Sequence, residues 1–499
     1  MQLQELSALE LGSLVNKREV SPTEVVKHFE SRIESKNDSI NAFTYTKFEE
    51  AEQAASDLEK RISDGEEVGP LAGVPIALKD FLPSKKGWTH SHGGVRSIAD
   101  KVDDYSSPFT EACEGMGAIS IGKTNAPAFG FRGLTDNHMY GPTSTPFNPL
   151  YNSGGSSGGS CAAVSAGLVL AAEQGDAGGS ARCPAAWCGC FGFKPSAGIV
   201  PSICRPDAWT ATHPYCCGSP ATKTVDDAAL ILGAMIGYSP DDPISVITPE
   251  NLKDLRINKN ILQNEKPLSG MKVGVTYDFE LFPVPVAEIR SAIDNVARLL
   301  EGAGAEVITA DFRFNFSRSE IEDAWLRGIC IDTAIDMELW KCDGYNLPKD
   351  HADEVASAFL TWNKIAIQST MMDYRKFHEV RTDILDAHNR VFKDCDIIIA
   401  PVSGCMQVLN SHTGDDGLVV GPDYISGQPV DPLIGFCYTY LENMIGTPAA
   451  SVPAALTSDN LPVGVQVIGR RYHDDDVFKV CYFLETANPW KQWYSHSFN

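Results

Sequence analysis

Residues 272–308 read KVGVTYDFELFPVPVAEIRSAIDNVARLLEGAGAEVI, and three patterns follow one another in them. Lys272-Val-Gly-Val275 is short and β-branched, Val286 to Glu301 carries apolar residues at the spacing of one helix face, and Glu306-Val-Ile308 is β-branched again. Strand, helix and strand in that order make a βαβ unit, whose strands lie parallel because the helix carries the chain back along the sheet. At least part of the sheet is therefore parallel, and the class is α/β, a mixed twisted sheet with helices on both faces.

On the N-terminal side, Pro240 to Pro267 is loose and charged and reads as a connection. Residues 5 to 64 read as helices; Ser21-Pro-Thr-Glu24 has the form of a capping box with proline in the first turn. From Leu71 the texture changes to short apolar runs between Gly, Pro and Ser. Leu71-Ala-Gly-Val-Pro-Ile-Ala-Leu78 and Ala118-Ile-Ser-Ile121 read as buried strands, and Leu168 to Ala172 as a strand after a small-residue helix over Gly159 to Gly167. On the C-terminal side, Ser319 to Lys393 is mostly helical, with Trp325, Leu326, Ile329, Trp340, Phe359, Leu360 and Trp362 as core candidates. Asp396-Ile-Ile-Ile-Ala-Pro401 and Val463-Gly-Val-Gln-Val-Ile468 return to the sheet. The expected organisation is one domain over 1–499: N-terminal helices to 64, a core over 65–238, a connection over 239–270, and the rest of the sheet over 271–499 with a helical insertion near 319–393.

The chain has 499 residues and a formal net charge of −24, from 41 Lys and Arg against 65 Asp and Glu. Such a charge argues against nucleic acid or an anionic membrane as partner. No run reaches the roughly 18 uncharged apolar residues of a spanning helix. Met1-Gln-Leu-Gln-Glu-Leu has neither a basic nor an apolar leader region, so the expected location is cytoplasmic. The 14 cysteines are scattered without a C-x-x-C pair and read as reduced, structural thiols.

Several motifs are weaker than they look. Gly117-Ala-Ile-Ser-Ile-Gly122-Lys123-Thr124 matches a phosphate loop, but its middle is apolar and Pro127 follows, so it reads as a strand end. Ser269-Gly-Met-Lys272 matches S-x-x-K, yet it leads into a strand rather than opening a helix. His90-Ser-His92, and His213 with Cys216 and Cys217, lack a complete metal-ligand set, so no metal and no cofactor is expected. Gly154-Gly-Ser156-Ser-Gly158 fits the nucleophile elbow G-x-S-x-G, but Pro146 to Ser153 reads as a loop where that geometry needs a strand.

Three other features converge. Gly73-Val-Pro-Ile-Ala-Leu-Lys79-Asp80 delivers a lysine at the inner end of an apolar strand, where burial disfavours the ammonium and turns the amine toward a neutral base. Strand alternation should turn Asp80 away from it. Gly154 to Ser160 places three hydroxyls in one flexible turn. Gly175-Asp-Ala-Gly-Gly-Ser180-Ala-Arg182 leaves a strand with small residues whose N–H groups can converge beside a serine.

In this order the three features make the sequence resemble the amidase signature family. The likeness is dense from Leu71 to Gly237, through Gly122-Lys-Thr-Asn125, Gly141-Pro-Thr143, Gly154 to Ser160, Gly175 to Ala185, Cys188-Gly189 and Gly192-Phe-Lys-Pro195. It resumes at Gly446-Thr-Pro-Ala-Ala-Ser-Val-Pro453 and Leu461-Pro-Val-Gly-Val-Gln466. The resemblance implies a Ser–cisSer–Lys triad, with Ser180 as the acylated nucleophile, Ser156 as the bridging serine after a cis peptide and Lys79 as the base. It implies an oxyanion hole from the N–H groups of Ala177, Gly178, Gly179 and Ser180, and a hydrolase of linear amides working through an acyl-enzyme.

The sequence departs from the family's pattern at Ala128, Ala177 and Ala181, where larger residues are usual. The acyl pocket is expected near Gly130, after Pro127, with Gly155 and the helical region from Trp325 to Trp340; its aromatic content points to an aryl or apolar amide of small or medium size. A homodimer stays open. Two alternatives share the machinery: urethane or ester cleavage, and the amidotransferase subunit that acts on glutamyl-tRNA. The stretch Ala208-Trp-Thr-Ala-Thr-His-Pro-Tyr215 lacks the Asp-Gln dipeptide typical of that subunit.

Overall fold

Ser21 opens its helix as the capping pattern predicts: Ser21 Oγ accepts the Glu24 N–H at 3.1 Å, the Glu24 carboxylate accepts the Ser21 N–H at 3.1 Å, and Pro22 sits in the first turn. The computed structural model describes residues 2–81, 84–204, 208–209, 216–257, 259–342 and 344–495. Helices Ala8–Asn16, Pro22–Ile40 and Phe48–Ser63 make up most of the N-terminal region. A short strand, β1 (Phe43–Thr46), interrupts them where the pattern predicts helix alone. Asn41 sets it apart by closing the preceding helix in the left-handed conformation, at φ 52°.

Besides β1, the two main sheets take β2 (Pro75–Lys79), β3 (Ile119–Thr124), β4 (Ala171–Asp176), β5 (Gly192–Lys194) and β6 (Cys217–Thr222). Then come β7 (Lys272–Val275), β8 (Glu306–Thr309), β9 (Ile397–Pro401), β10 (Ala449–Leu456) and β11 (Pro462–Gly469). The first half of the chain forms a five-stranded sheet in the order β1-β3-β2-β4-β6, the second a six-stranded sheet in the order β8-β7-β9-β11-β10-β5. β2 runs parallel to β3 and β4, and β7 runs parallel to β8 and β9; the remaining pairs are antiparallel. The two sheets meet at a single antiparallel bridge, Phe191 N–H to Thr222 O at 2.9 Å and Thr222 N–H to Phe191 O at 3.3 Å. The architecture is thus the expected mixed α/β one, with a seam near its middle.

The βαβ unit is present as β7, the helix Ala287–Gly302 and β8, with Ile289, Ala292, Ile293, Val296 and Leu300 buried along one helix face. Some boundaries shift. The strand expected over Leu168 to Ala172 runs instead over Ala171–Asp176: Leu170 gives β2 a single bond, its N–H to Pro75 O at 3.3 Å, and the continuous ladders begin at Ala171. Strands β5, β6 and β10 carry no clear sequence signal, since small residues and the prolines Pro220 and Pro453 mask their period; β10 bulges between Pro453 and Ala455. The segment that reads as a loop, Pro146 to Ser153, contains a strand, Asn148–Asn152, paired with Ser144–Thr145 in a separate two-stranded hairpin.

The insertion folds as helices Arg318–Cys342, Leu347–Asp350, Ser357–Ile367 and Met371–Val391 over a second core that includes Phe129, Trp325, Leu326, Phe359 and Ile384. Ile329, Trp340, Leu360 and Trp362 are only partly buried at its margin. All fourteen cysteines are free thiols, and ten of them are buried. Among the described residues no helix is long and apolar enough to cross a membrane.

Candidate active site

β2 and β4 are parallel neighbours, so their carboxyl ends open on the same side of the sheet, the side on which α/β proteins build sites. β2 ends in Lys79 and β4 in Asp176, directly before Ala177 to Ser180. Lys79 is buried, and its Nζ donates to Ser156 Oγ at 2.8 Å while lying 5.1 Å above the Phe81 ring. Burial lowers its pKa to about 8, opposed by the fields of Glu173 and Asp176. Asp80 is turned away as alternation requires: its carboxylate accepts Ser91 N–H at 2.8 Å, Ser91 Oγ–H at 2.5 Å and Thr44 Oγ1–H at 3.3 Å.

Ser156 follows a cis peptide bond from Gly155 and is buried. Gly155 is pressed onto Leu134: a Cβ there would come 2.7 Å from Leu134 backbone atoms. The other two hydroxyls of the turn fasten it to β4. Ser157 Oγ donates to Gly175 O at 3.2 Å and accepts Gly175 N–H at 3.3 Å; Ser160 Oγ donates to Glu173 O at 2.6 Å. The Ser157 N–H donates to Ser180 O at 3.1 Å and so joins the two serine turns. Among the described residues no hydrogen bond links Ser180 Oγ to Ser156 Oγ; Ser180 is partly exposed on the wall of a cleft.

The Ala177–Ser180 loop is shaped from outside. Asp176 accepts Gly179 N–H at 2.7 Å, Ala181 N–H at 3.2 Å and Arg182 N–H at 3.4 Å, holding the chain on both sides of Ser180. The carbonyls are tied outward: Asp176 O takes Asn443 Nδ2–H at 3.0 Å, Gly178 O takes Thr439 Oγ1–H at 2.6 Å, and Ala177 O takes Trp325 Nε1–H at 3.4 Å. Of the four N–H groups expected at an oxyanion, Gly179's is therefore committed to Asp176. Those of Ala177, Gly178 and Ser180 have no partner among the described residues.

Behind the loop lies a buried charge network that no sequence pattern announces. Arg182 is fully buried; it pairs with Asp176 through Nε and Nη2 and reaches Glu442 at 3.3 Å, Gln466 at 2.5 Å and Asn443 at 2.6 Å. Burial by itself raises the Asp176 carboxyl, but the Arg182 guanidinium overrides it and, with Asn443 and Lys194 assisting, brings the pKa down to about 2. Asp176 and Arg182 stand inside the conspicuous glycine-rich turn, whereas Glu442, Asn443 and Gln466 lie far away in the chain and carry no local signal.

The cleft wall comprises the Ala177–Ser180 loop, Gly130, Gly155, Arg132, Trp325 and Tyr440, among others. Gly130 and Gly155, expected on the substrate side, both line this cleft; a Cβ on Gly130 would come 3.3 Å from Ser156 Oγ. The expected Trp325–Trp340 wall splits. Trp325 packs on Gly178, whereas Trp340 stacks on Phe129 at 5.3 Å, away from the cleft lining. Ala128 and Ala181 are buried and Ala177 partly so.

The remaining motifs resolve structurally. Lys123, from the phosphate-loop pattern, is fully buried in β3 and paired with Asp103 at 3.0 Å. His90 Nδ1 meets the same carboxylate at 2.5 Å. Ser269 is exposed ahead of β7. The elbow-like Ser156 does follow a strand, but one of a separate two-stranded hairpin, and its partner is a lysine. His213 and positions 210–215 of the stretch lacking Asp-Gln lie outside the described residues.

The sequence matches the Amidase family over residues 24–478. It is 30% identical over 488 residues to an acylamidase of Rhodococcus erythropolis, covering 97% of this chain and 96% of that one. It is also 30% identical over 509 residues to a glutamyl-tRNA(Gln) amidotransferase subunit of Thermosynechococcus vestitus, covering 97% and 98%. Among solved structures, a bacterial aryl acylamidase of the amidase signature family superposes with a TM-score of 0.92 at 38% identity, over 99% of this chain and 98% of that one. A 6-aminohexanoate cyclic dimer hydrolase superposes with a TM-score of 0.83 at 25% identity, over 98% of each. The chain belongs to the amidase signature family, and is a hydrolase of carbon–nitrogen bonds other than peptide bonds.

Proposed function

We propose that this hydrolase is an acylamidase, cleaving a small or medium, apolar or aryl amide through an acyl-enzyme on Ser180. The observation that carries the reading is the 2.8 Å hydrogen bond between the buried Lys79 Nζ and Ser156 Oγ, Ser156 following Gly155, which lines the same cleft as Ser180. With its pKa lowered to about 8, Lys79 is available as a neutral base near physiological pH. It takes the Ser156 proton as Ser156 takes that of Ser180, and Ser180 Oγ attacks the amide carbonyl. The N–H groups of Ala177, Gly178 and Ser180 stabilise the oxyanion, with Gly179 serving the loop's shape through Asp176. The amine leaves with the relayed proton, and water then cleaves the ester by the same route. The likeness to an acylamidase and an aryl acylamidase over nearly the whole chain supports this substrate class.

The likeness to glutamyl-tRNA(Gln) amidotransferase subunits supports a second reading, amide hydrolysis inside a tRNA-dependent assembly. One experiment separates the two: turnover of acetanilide by the chain alone, with the labelled residue mapped after a fluorophosphonate probe. Anilide hydrolysis with label on Ser180 upholds the acylamidase reading. Labelling without turnover of any simple amide overturns it in favour of the tRNA-dependent one.

A further inference from the structure

Among the described residues that line the cleft, Arg132 alone carries a charge. It is 7% exposed, and its Nη1 is buried without a hydrogen-bond partner among the described residues. No carboxylate pairs with it there. Asp136 acts on it only at longer range and is itself held by the Val419 N–H at 2.8 Å; Asp416 is likewise distant and accepts Ser357 and Leu418 N–H groups. Burial pushes the guanidinium pKa down and the two aspartates oppose this, but a guanidinium keeps its proton at any working pH.

The surroundings make this placement unusual. The rest of the lining is backbone, thiol, hydroxyl, aliphatic or aromatic, including Trp325, Ile329, Leu433 and Ile434. Tyr440 Oη is a second buried polar atom of the cleft without a partner among the described residues, its ring tilted against Trp325 at 5.4 Å. Arg132 also borders a neighbouring cavity with Asp136 and Glu354, but its Nη1 N–H, buried and without a partner among the described residues, is costly while empty, and the planar guanidinium matches a carboxylate better than any neutral oxygen.

We propose that Arg132 is a specificity-determining residue whose guanidinium receives a carboxylate carried by the amide substrate. Acylated aminobenzoates and half-amides of dicarboxylic acids are then preferred over neutral amides of the same size. The inference rests on the acylamidase reading and narrows its substrate class.

The test compares kcat/KM within matched pairs, 4-acetamidobenzoate against acetanilide and succinanilate against butyranilide, so that the carboxylate stands on the amine side or on the acyl side. The wild-type enzyme should favour the carboxylate in one pair by about 10- to 100-fold, the range of a charge-assisted hydrogen bond. In R132M that ratio should fall to about 1 or below, since the buried charge-binding group is gone. R132K should fall between, and it carries the test if R132M does not fold; thermal midpoints report folding. A wild-type ratio of 1 or less in both pairs overturns the proposal, as does a ratio that Arg132 substitution leaves unchanged. If anilides turn over but the ratios ignore Arg132, this inference alone fails. If no simple amide turns over, the acylamidase reading fails and takes the inference with it.

Discussion

Asp176 and Arg182 face each other across a single turn in a bidentate pair, Nε to Oδ2 at 2.9 Å and Nη2 to Oδ1 at 3.1 Å, with both side chains fully buried. The carboxylate also receives the N–H groups of Gly179 and Ala181, on either side of Ser180. One ion pair thus sets the backbone around Ser180 without touching the cleft. If Ser180 is the nucleophile as proposed, Asp176 and Arg182 act as its positioning residues.

Removing either partner strands a buried charge. Asp176→Ala should cost about 3–5 kcal/mol of stability, the usual range for a broken buried pair. The milder Asp176→Asn should keep more stability but lower kcat far more than it raises KM, because the loop it shapes acts on the transition state. Urea unfolding and steady-state kinetics check both. Wild-type stability in Asp176→Ala would remove the pair from this role.

Lys79 predicts a pH profile. With its pKa near 8, lowered by burial, the lysine is protonated below that pH and cannot accept the Ser156 proton. Acylation should therefore fall about tenfold per pH unit on the acid side of pH 8 and level off above it. Lys79→Ala should slow acylation by about 10²- to 10⁴-fold, and Lys79→Arg nearly as much, since guanidinium does not release its proton. Stopped-flow acylation across pH tests this. An arginine variant near the wild-type rate would show that only charge is needed.

The two serines should separate by labelling. Ser180→Ala should lose both turnover and reaction with a fluorophosphonate, while Ser156→Ala should still be labelled on Ser180, but slowly. Peptide mapping reads the site. Label on Ser156 in the Ser180→Ala chain would reverse the assignment.

Gly178 offers a steric test. A Cβ there would lie 2.2 Å from Trp325 Cζ2, so Gly178→Ala must displace the indole or the loop. A displacement of that kind should lower kcat/KM by roughly 10²-fold. Trimming the ring with Trp325→Leu in the same chain should restore part of the loss, read as coupling in a double-mutant cycle. Gly179→Ala is the control: its φ is +124° and its Cβ would meet Thr439 Oγ1 at 1.9 Å, so the Trp325 change should not rescue it. Equal rescue of both would discount the Trp325 contact.

The parts legible in the sequence are those whose cause is local. An apolar run ending in Lys79 reads as a strand delivering a lysine, and the turns at 154–160 and 175–182 announce themselves by glycine and serine density. The βαβ unit at 272–309 reads from its periodicity. What stays hidden depends on partners distant in the chain or on patterns blurred by small residues. Nothing near Glu442, Asn443 or Gln466 marks them as companions of Arg182. Strand β10 escapes because Ala, Ser and Pro show no alternation, and Asn148–Asn152 because it pairs in a separate two-stranded hairpin and its burial does not alternate. The Gly179 N–H has the right position in sequence for an oxyanion donor, but its commitment to Asp176 is a matter of geometry that residue types do not reveal.

The bond from Arg182 to Gln466 spans 284 positions of chain, and those to Glu442 and Asn443 span 260 and 261. A polypeptide still emerging from the ribosome, or one cut short ahead of residue 442, lacks the carboxylate and amides that complete the knot. Its Ser180 turn keeps the local Asp176–Arg182 pair but loses the distant partners that hold Arg182, so we expect an unfinished chain to react with a serine probe far more slowly than the whole one. Chains truncated before residue 442 should leave most of a serine probe unreacted, and activity should return when the missing segment is supplied in trans and reassociates.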